Sequence, residues 1–284
     1  MHRHIWPEQL LEALRRRSSP PCLRGWTLCL HDGEYPVEAD AYGPDRCLAD
    51  LERDGIDVAI VSCPPTLGLD RVPDEEAEDV LDAYHEGIRE VAASTGGRLL
   101  PLGMGCTGPG FVGASVSAAA LLDLDAVAPL LDELERERRI LFVHPGLGTG
   151  RGSPTWWPAV VDYTAQMQAA YASWLAEGID RWPDLHVLFA ILAGGAPIQL
   201  ERLRSRGFDI RRAFAPTIFL DTASYGRRAL ELCLATYGGN GLVFGSDGPV
   251  IDSKPSLEAV RGFGQAVVDA LCRDNPRQLL GGDG

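Results

Sequence analysis

Histidine is scarce in this chain, cysteine is scattered, and no long apolar run occurs. Only six histidines stand among 284 residues. The seven cysteines (22, 29, 47, 63, 106, 233 and 272) are odd in number and form no C-x-x-C. That excludes a disulfide framework and a four-cysteine zinc site, and a cytoplasmic location is expected. The longest apolar stretch, Val187 to Pro197, is about eleven residues, against roughly 20 for a bilayer span. The opening His2-Arg3-His4-Ile5-Trp6-Pro7 lacks the apolar core of a signal peptide. Basic residues are also short: 26 Lys and Arg face 40 Asp and Glu, a net charge of −14. A nucleic-acid binder must neutralise phosphates, so that class is disfavoured, as is an anionic membrane. No G-x-G-x-x-G follows the first strand, and no repeat or linker divides the chain. One domain over 1–284 is expected.

What is present is an alternation. Short apolar runs occur at Asp57–Ser62, Leu99–Gly103, Phe111–Val116, Ile140–Val143, His186–Leu192, Thr217–Leu220 and Leu242–Phe244. Nearly continuous apolar runs read as strands buried on both faces of a parallel sheet. Between them lie amphipathic stretches: Pro44–Gly55, Asp74–Thr95, Leu124–Arg138, Val161–Gly178, Ile198–Ser205, Arg227–Tyr237 and Ser256–Arg273. In the second, Val80, Leu81, Tyr84, Ile88 and Val91 fall mostly at spacings of three and four. Gly55, Gly96, Gly178 and Gly238 read as helix C-caps. The alternation predicts an α/β fold, a (β/α)8 TIM barrel, with a doubly wound sheet as the alternative. Strand one is short because His2 lies at its start. Only about seven residues separate Gly103 from Phe111, too few for a crossover helix. A distorted or incomplete barrel is therefore expected, with no helix between strands three and four.

Four residues stand out for chemistry. His2 and His4 form an H-x-H pair, and in a strand i and i+2 share a face. His144 ends the run Ile140-Leu141-Phe142-Val143, and Asp247 follows Leu242-Val243-Phe244-Gly245-Ser246. Both sit where barrel enzymes carry catalytic residues. Each has a plainer reading, as a chance pair, a histidine bonded to backbone, or an Asp that caps a helix. Together, three imidazoles and a carboxylate suit one divalent ion, Zn2+ first, with Mn2+, Fe2+ or Co2+ as alternatives. Asp221, at the same place on the preceding strand, is a candidate partner behind these ligands.

The motifs His2-Arg3-His4, Phe142-Val143-His144-Pro145-Gly146, Gly194-Gly195-Ala196-Pro197 and Phe244-Gly245-Ser246-Asp247-Gly248-Pro249 resemble those of the amidohydrolase superfamily. More narrowly, they resemble its amidohydrolase 2 branch, home of the aminocarboxymuconate semialdehyde decarboxylase-like enzymes. The closing Asn275-Pro276-Arg277-Gln278-Leu279-Leu280 is similar to that branch's N-P-x-x-L. The resemblance implies a metal-dependent barrel enzyme that hydrolyses C–N or C–O bonds or decarboxylates without oxidation. It implies His2, His4, His144 and Asp247 as metal ligands, with Asp247 also carrying a proton. Hydrolysis by metal-activated water is the first expectation, since it needs only residues that are present. Decarboxylation is the second, and a catalytically degenerate binding or scaffold barrel the third.

The chain departs from the branch at strand six, where H-x-G-G is usual. Aligned on Gly194-Gly195, the histidine is replaced by Leu192. An apolar wall is expected there. Trp156, Trp157, Tyr163 and Tyr225 are candidate substrate contacts, Arg46, Arg71 and Arg151 candidate cations, and His31 a residue of the first loop that can reach the site. His85 reads as a surface or boundary residue. A small-molecule substrate is expected, without nucleic acid or membrane, and a homodimer is an option.

Overall fold

The computed structural model describes residues 1–149 and 154–282. Eight parallel strands follow one another around a curled sheet: β1 (His2–His4), β2 (Ala59–Ser62), β3 (Leu99–Met104), β4 (Gly113–Ser117), β5 (Ile140–His144), β6 (Val187–Phe189), β7 (Ile218–Asp221) and β8 (Leu242–Val243). Strands adjacent in this order pair in parallel. A parallel bridge between Arg3 and Gly248 joins the two ends of the sheet. There the His4 N–H donates to the Gly248 carbonyl at 2.8 Å. The expected barrel is thus formed, and the chain after β8 closes it rather than leaving it open.

The strands are apolar because both faces are covered. All five residues of β5 are buried. The surrounding helices use the amphipathic stretches. Asp74–Ser94 turns Val80, Tyr84 and Ile88 inward, and Tyr84 ties it to the barrel. Its hydroxyl accepts from the Cys63 N–H and donates to the Leu102 carbonyl, both at 3.0 Å. His85 is buried beside it, not at the surface, and its Nε2 accepts the Met104 N–H at 3.0 Å. Pro44–Asp54 starts on Pro44 and stops at Gly55 in the left-handed region. Gly178 does not end its helix, which runs on to Arg181. A Cβ there would collide with the Trp174 ring, so packing accounts for this glycine. Gly264 (φ +94°) divides the stretch Ser256–Arg273. Among the described residues no helix is long and apolar enough to cross a membrane.

β3 and β4 are joined without a helix. The register explains how. Gly113 pairs with Leu102, only two residues before the end of β3 at Met104, so the chain returns by about 7 Å of strand rise. The link folds back over Gly103, where a Cβ would collide with the Cys106 carbonyl oxygen.

β6 ends earlier than the apolar run His186–Leu192 suggests. From Ile191 to Gly195 five consecutive residues have positive φ, from +44° to +98°. This left-handed turn is clamped on the helix Tyr163–Ser173. Gln168 Nε2 donates to the Gly194 carbonyl at 2.7 Å, and a Cβ on Gly194 would collide with the Thr164 carbonyl oxygen. The turn decides which side chain after β6 faces the barrel mouth.

Candidate metal centre

The alternation of β1 points His2 and His4 into the barrel and Arg3 out of it. His144 ends β5, and Asp247 follows β8 with φ +53°. These elements bring one ligating atom from each of His2, His4, His144 and Asp247 within 4.8 Å of one another. Asp247 Oδ1 lies 3.0 Å from His4 Nε2 and 3.5 Å from His2 Nε2.

The tautomers follow from the outer partners. His2 Nδ1 meets the Asp221 carboxylate, His4 Nδ1 the Ser62 carbonyl at 3.2 Å, and His144 Nδ1 the Pro145 carbonyl at 2.9 Å. These oxygens accept, so each Nδ1 donates, and Nε2 is the nitrogen turned to the other ligands, the one whose lone pair a cation would take in place of a proton. His2 Nε2 is buried with no hydrogen-bond partner. An orphaned buried imidazole nitrogen is unfavourable unless something binds it. Two atoms at about 2.0–2.3 Å from one ion are about 3.3–3.8 Å apart in a tetrahedron and up to about 4.6 Å when opposite, so side-chain shifts of up to about 1 Å would let the four share a cation. The residues therefore fit a divalent ion.

Burial disfavours charge on His2, but Asp221 and then Asp247 outweigh it and raise its pKa to about 9. Burial, with His4 nearby, lowers His144 to about 3, so it stays neutral. Burial pushes Asp247 up, yet the His2 and His4 imidazoles beside it win and hold it far below the usual carboxylate range.

Above these groups opens a cavity of about 610 Å3. Trp6 and Tyr42 form one wall, stacked at 3.8 Å with planes 12° apart. Burial and the Asp247 charge push the Tyr42 phenol up to about 12, so it remains neutral. Leu28, Leu30, Tyr35 and Val37 roof the cavity. They lie on or just after the last two of three short antiparallel strands, Cys22–Arg24, Thr27–Cys29 and Glu34–Pro36, inserted after the helix Glu8–Arg16.

Of the expected contacts, Tyr163 and Tyr225 line this cavity. Trp156 and Trp157 do not. They are 56% and 36% exposed, because Pro158, Ala159 and Tyr163 present the inner side of that segment. His31 and Arg71 are also absent from the lining, Arg46 is part of it, and Arg151 lies outside the described residues. The wall expected of Leu192 is made by Ile191. Leu192 is 2% exposed and turned into the core by the left-handed turn. Trp6 and Tyr42 were not legible as site residues, although Trp6 stands two residues beyond His4 and so continues the same rim.

A curated relative, the 2-amino-3-carboxymuconate-6-semialdehyde decarboxylase of Dictyostelium discoideum, is 23% identical and covers 89% of this chain and 81% of its own length. The solved structure of the IDCase of Metarhizium anisopliae in apo form superposes with a TM-score of 0.80 at 20% identity, covering 98% of this chain and 95% of its own. A dihydroxybenzoic acid decarboxylase of Polaromonas sp. JS666, solved with bound manganese and the inhibitor 2-nitroresorcinol, gives 0.70 at 15% identity, with 98% and 95% coverage. At these identities the structural likenesses establish the fold. The family follows from a broader match: a family model described as amidohydrolase, of the amidohydrolase 2 type, covers residues 4–282, and the chain belongs to that family.

Proposed function

We propose that this chain is a metal-dependent carboxy-lyase that removes CO2 without oxidation from a small carboxylated substrate. His2, His4, His144 and Asp247 hold one divalent ion, for which Mn2+ and Zn2+ are the leading candidates. The observation that carries the reading is the convergence of these four side chains at the floor of one cavity. The decarboxylase relative and the manganese-containing structural neighbour support decarboxylation over the hydrolysis first expected from the residues. An intact ligand set under such a cavity also disfavours the degenerate-barrel reading.

When bound, the ion supplies positive charge that orients and stabilises the substrate carboxylate and a neighbouring oxygen. The stacked Trp6 and Tyr42 offer a flat surface for a planar substrate body. Ile191 keeps the β6 side of the cavity apolar and exchanges no proton. As CO2 leaves, the electron pair of the broken C–C bond stays on carbon, which must take a proton. Asp247 rests ionised, so it takes a proton from solvent reaching the cavity and hands it to that carbon, one proton from water for each CO2 released.

The test is CO2 release by the Mn2+-loaded and Zn2+-loaded protein from a panel of aromatic and enoic carboxylic acids. An amide and ester panel runs beside it. CO2 release from at least one acid is expected. Amide or ester turnover with no CO2 from any acid would restore hydrolysis.

A further inference from the structure

We infer that Asp221 is a positioning residue for His2, and that Gly245 is glycine to leave room for its carboxylate. The inference rests on the metal-binding reading of the site and extends it to two residues outside the ligand set. Asp221 is completely buried at the end of β7. One carboxylate oxygen meets His2 Nδ1. The other, Oδ1, accepts the Ala223 N–H at 2.6 Å, which fixes the plane of the group. A Cβ built on Gly245 would overlap both oxygens and the carboxyl carbon. No positive φ demands glycine at 245, so the requirement is one of space.

The three histidines are not supported alike. His4 and His144 lean on backbone carbonyls, and His2 alone has a carboxylate behind it. An ionised partner makes a stronger hydrogen bond than a carbonyl does. It holds the proton on Nδ1, directs the Nε2 lone pair inward and makes the imidazole a better donor. His2 belongs to a strand of three residues, so its ring has little local structure of its own to aim it. The carboxylate supplies that aim from β7, with only β8 between it and β1 in the closed barrel.

The experiment is Mn2+ titration of the purified full-length chain, followed through the electron paramagnetic resonance signal of free Mn2+. Wild type, Asp221→Asn and Gly245→Ala are compared, with thermal unfolding of each metal-free protein alongside. Both variants are expected to bind Mn2+ about 10- to 100-fold more weakly. Mn2+ affinity within twofold of wild type in a folded Asp221→Asn protein overturns the positioning role, whatever its thermal stability. A wild-type chain that binds no Mn2+ overturns the metal reading and this inference with it. Should either variant fail to fold, 15N-histidine NMR of the Zn2+-loaded wild type decides the matter. His2 is expected to keep a proton on Nδ1 and to bind through Nε2; a metal-bound Nδ1 overturns the inference.

Discussion

Arg3 and Asp50 form a buried ion pair on the outer side of the barrel, directly behind the candidate metal centre. Arg3 Nη2 donates to Asp50 Oδ2 at 2.6 Å, and Arg3 is 2% exposed. The guanidinium fills the space beside Gly248, where a Cβ would sit 2.9 Å from its central carbon. It thus braces the turn that carries Asp247. Removing one partner of such a pair leaves an uncompensated buried charge. Asp50→Ala is expected to destabilise the protein by about 3 kcal/mol or more, read as a shift in the urea unfolding midpoint. A loss below about 1 kcal/mol, the range of exposed pairs, would show that water reaches Arg3.

Asp247→Asn separates proton transfer from metal binding. The amide keeps an oxygen for the cation but cannot carry the proton. Turnover is expected to fall at least ~100-fold, the lower side of general acid–base contributions, while the protein still takes up Mn2+. Near-normal turnover in the metal-loaded variant would assign the proton to another group.

Ile191 and Leu192 are adjacent, yet histidine is expected to act oppositely at the two positions. Leu192→His buries an imidazole among apolar neighbours, which costs roughly 1–3 kcal/mol if it finds no partner, and thermal unfolding should show it. Ile191→His places a titrating group in the cavity. It is expected to leave the unfolding temperature nearly unchanged and to alter the pH dependence of kcat. The reverse pattern would mean that the left-handed turn does not place these side chains as described.

His85 gives the protein a built-in sensitivity to acid. Burial, followed by the Arg89 charge, lowers its pKa from 6.5 to about 4. Between those values the unfolded chain binds the proton and the folded chain does not. Stability therefore rises with pH across this window and is lost as pH falls from about 6.5 towards 4. His85→Gln retains an acceptor for the Met104 N–H without the titration. Urea midpoints measured from pH 7 to 4.5 should fall less steeply in the variant than in wild type. Parallel slopes would place the acid sensitivity elsewhere.

Metal removal is expected to lower stability through linkage alone. At a free Mn2+ concentration 100 times the Kd, bound ion stabilises by about 2.7 kcal/mol. Chelation should lower the unfolding temperature, and added Mn2+ should restore it. An unfolding temperature indifferent to Mn2+ would argue against the four-residue site.

The sequence by itself determined the strand–helix alternation and the four candidate ligands, because both are written in local patterns. Continuous apolar runs such as Ile140–Val143, set between amphipathic stretches, read as strands covered on both faces, and H-x-H in a strand points both rings one way. The eight-residue link after Met104 was too short for a helix however the chain folded. The tertiary structure alone decided what depends on contacts between distant positions. Leu192 was aligned to the cavity by its spacing from a glycine pair, but a left-handed turn clamped by Gln168 gives that place to Ile191. Trp156 and Trp157 follow the His144 loop in sequence yet face outward, while Trp6 and Tyr42 meet across a 36-residue separation to make the wall. His2 and Asp221 stand 219 residues apart. Their contact arises when the barrel closes and leaves only β8 between β7 and β1, and the absent side chain of Gly245 leaves it the space.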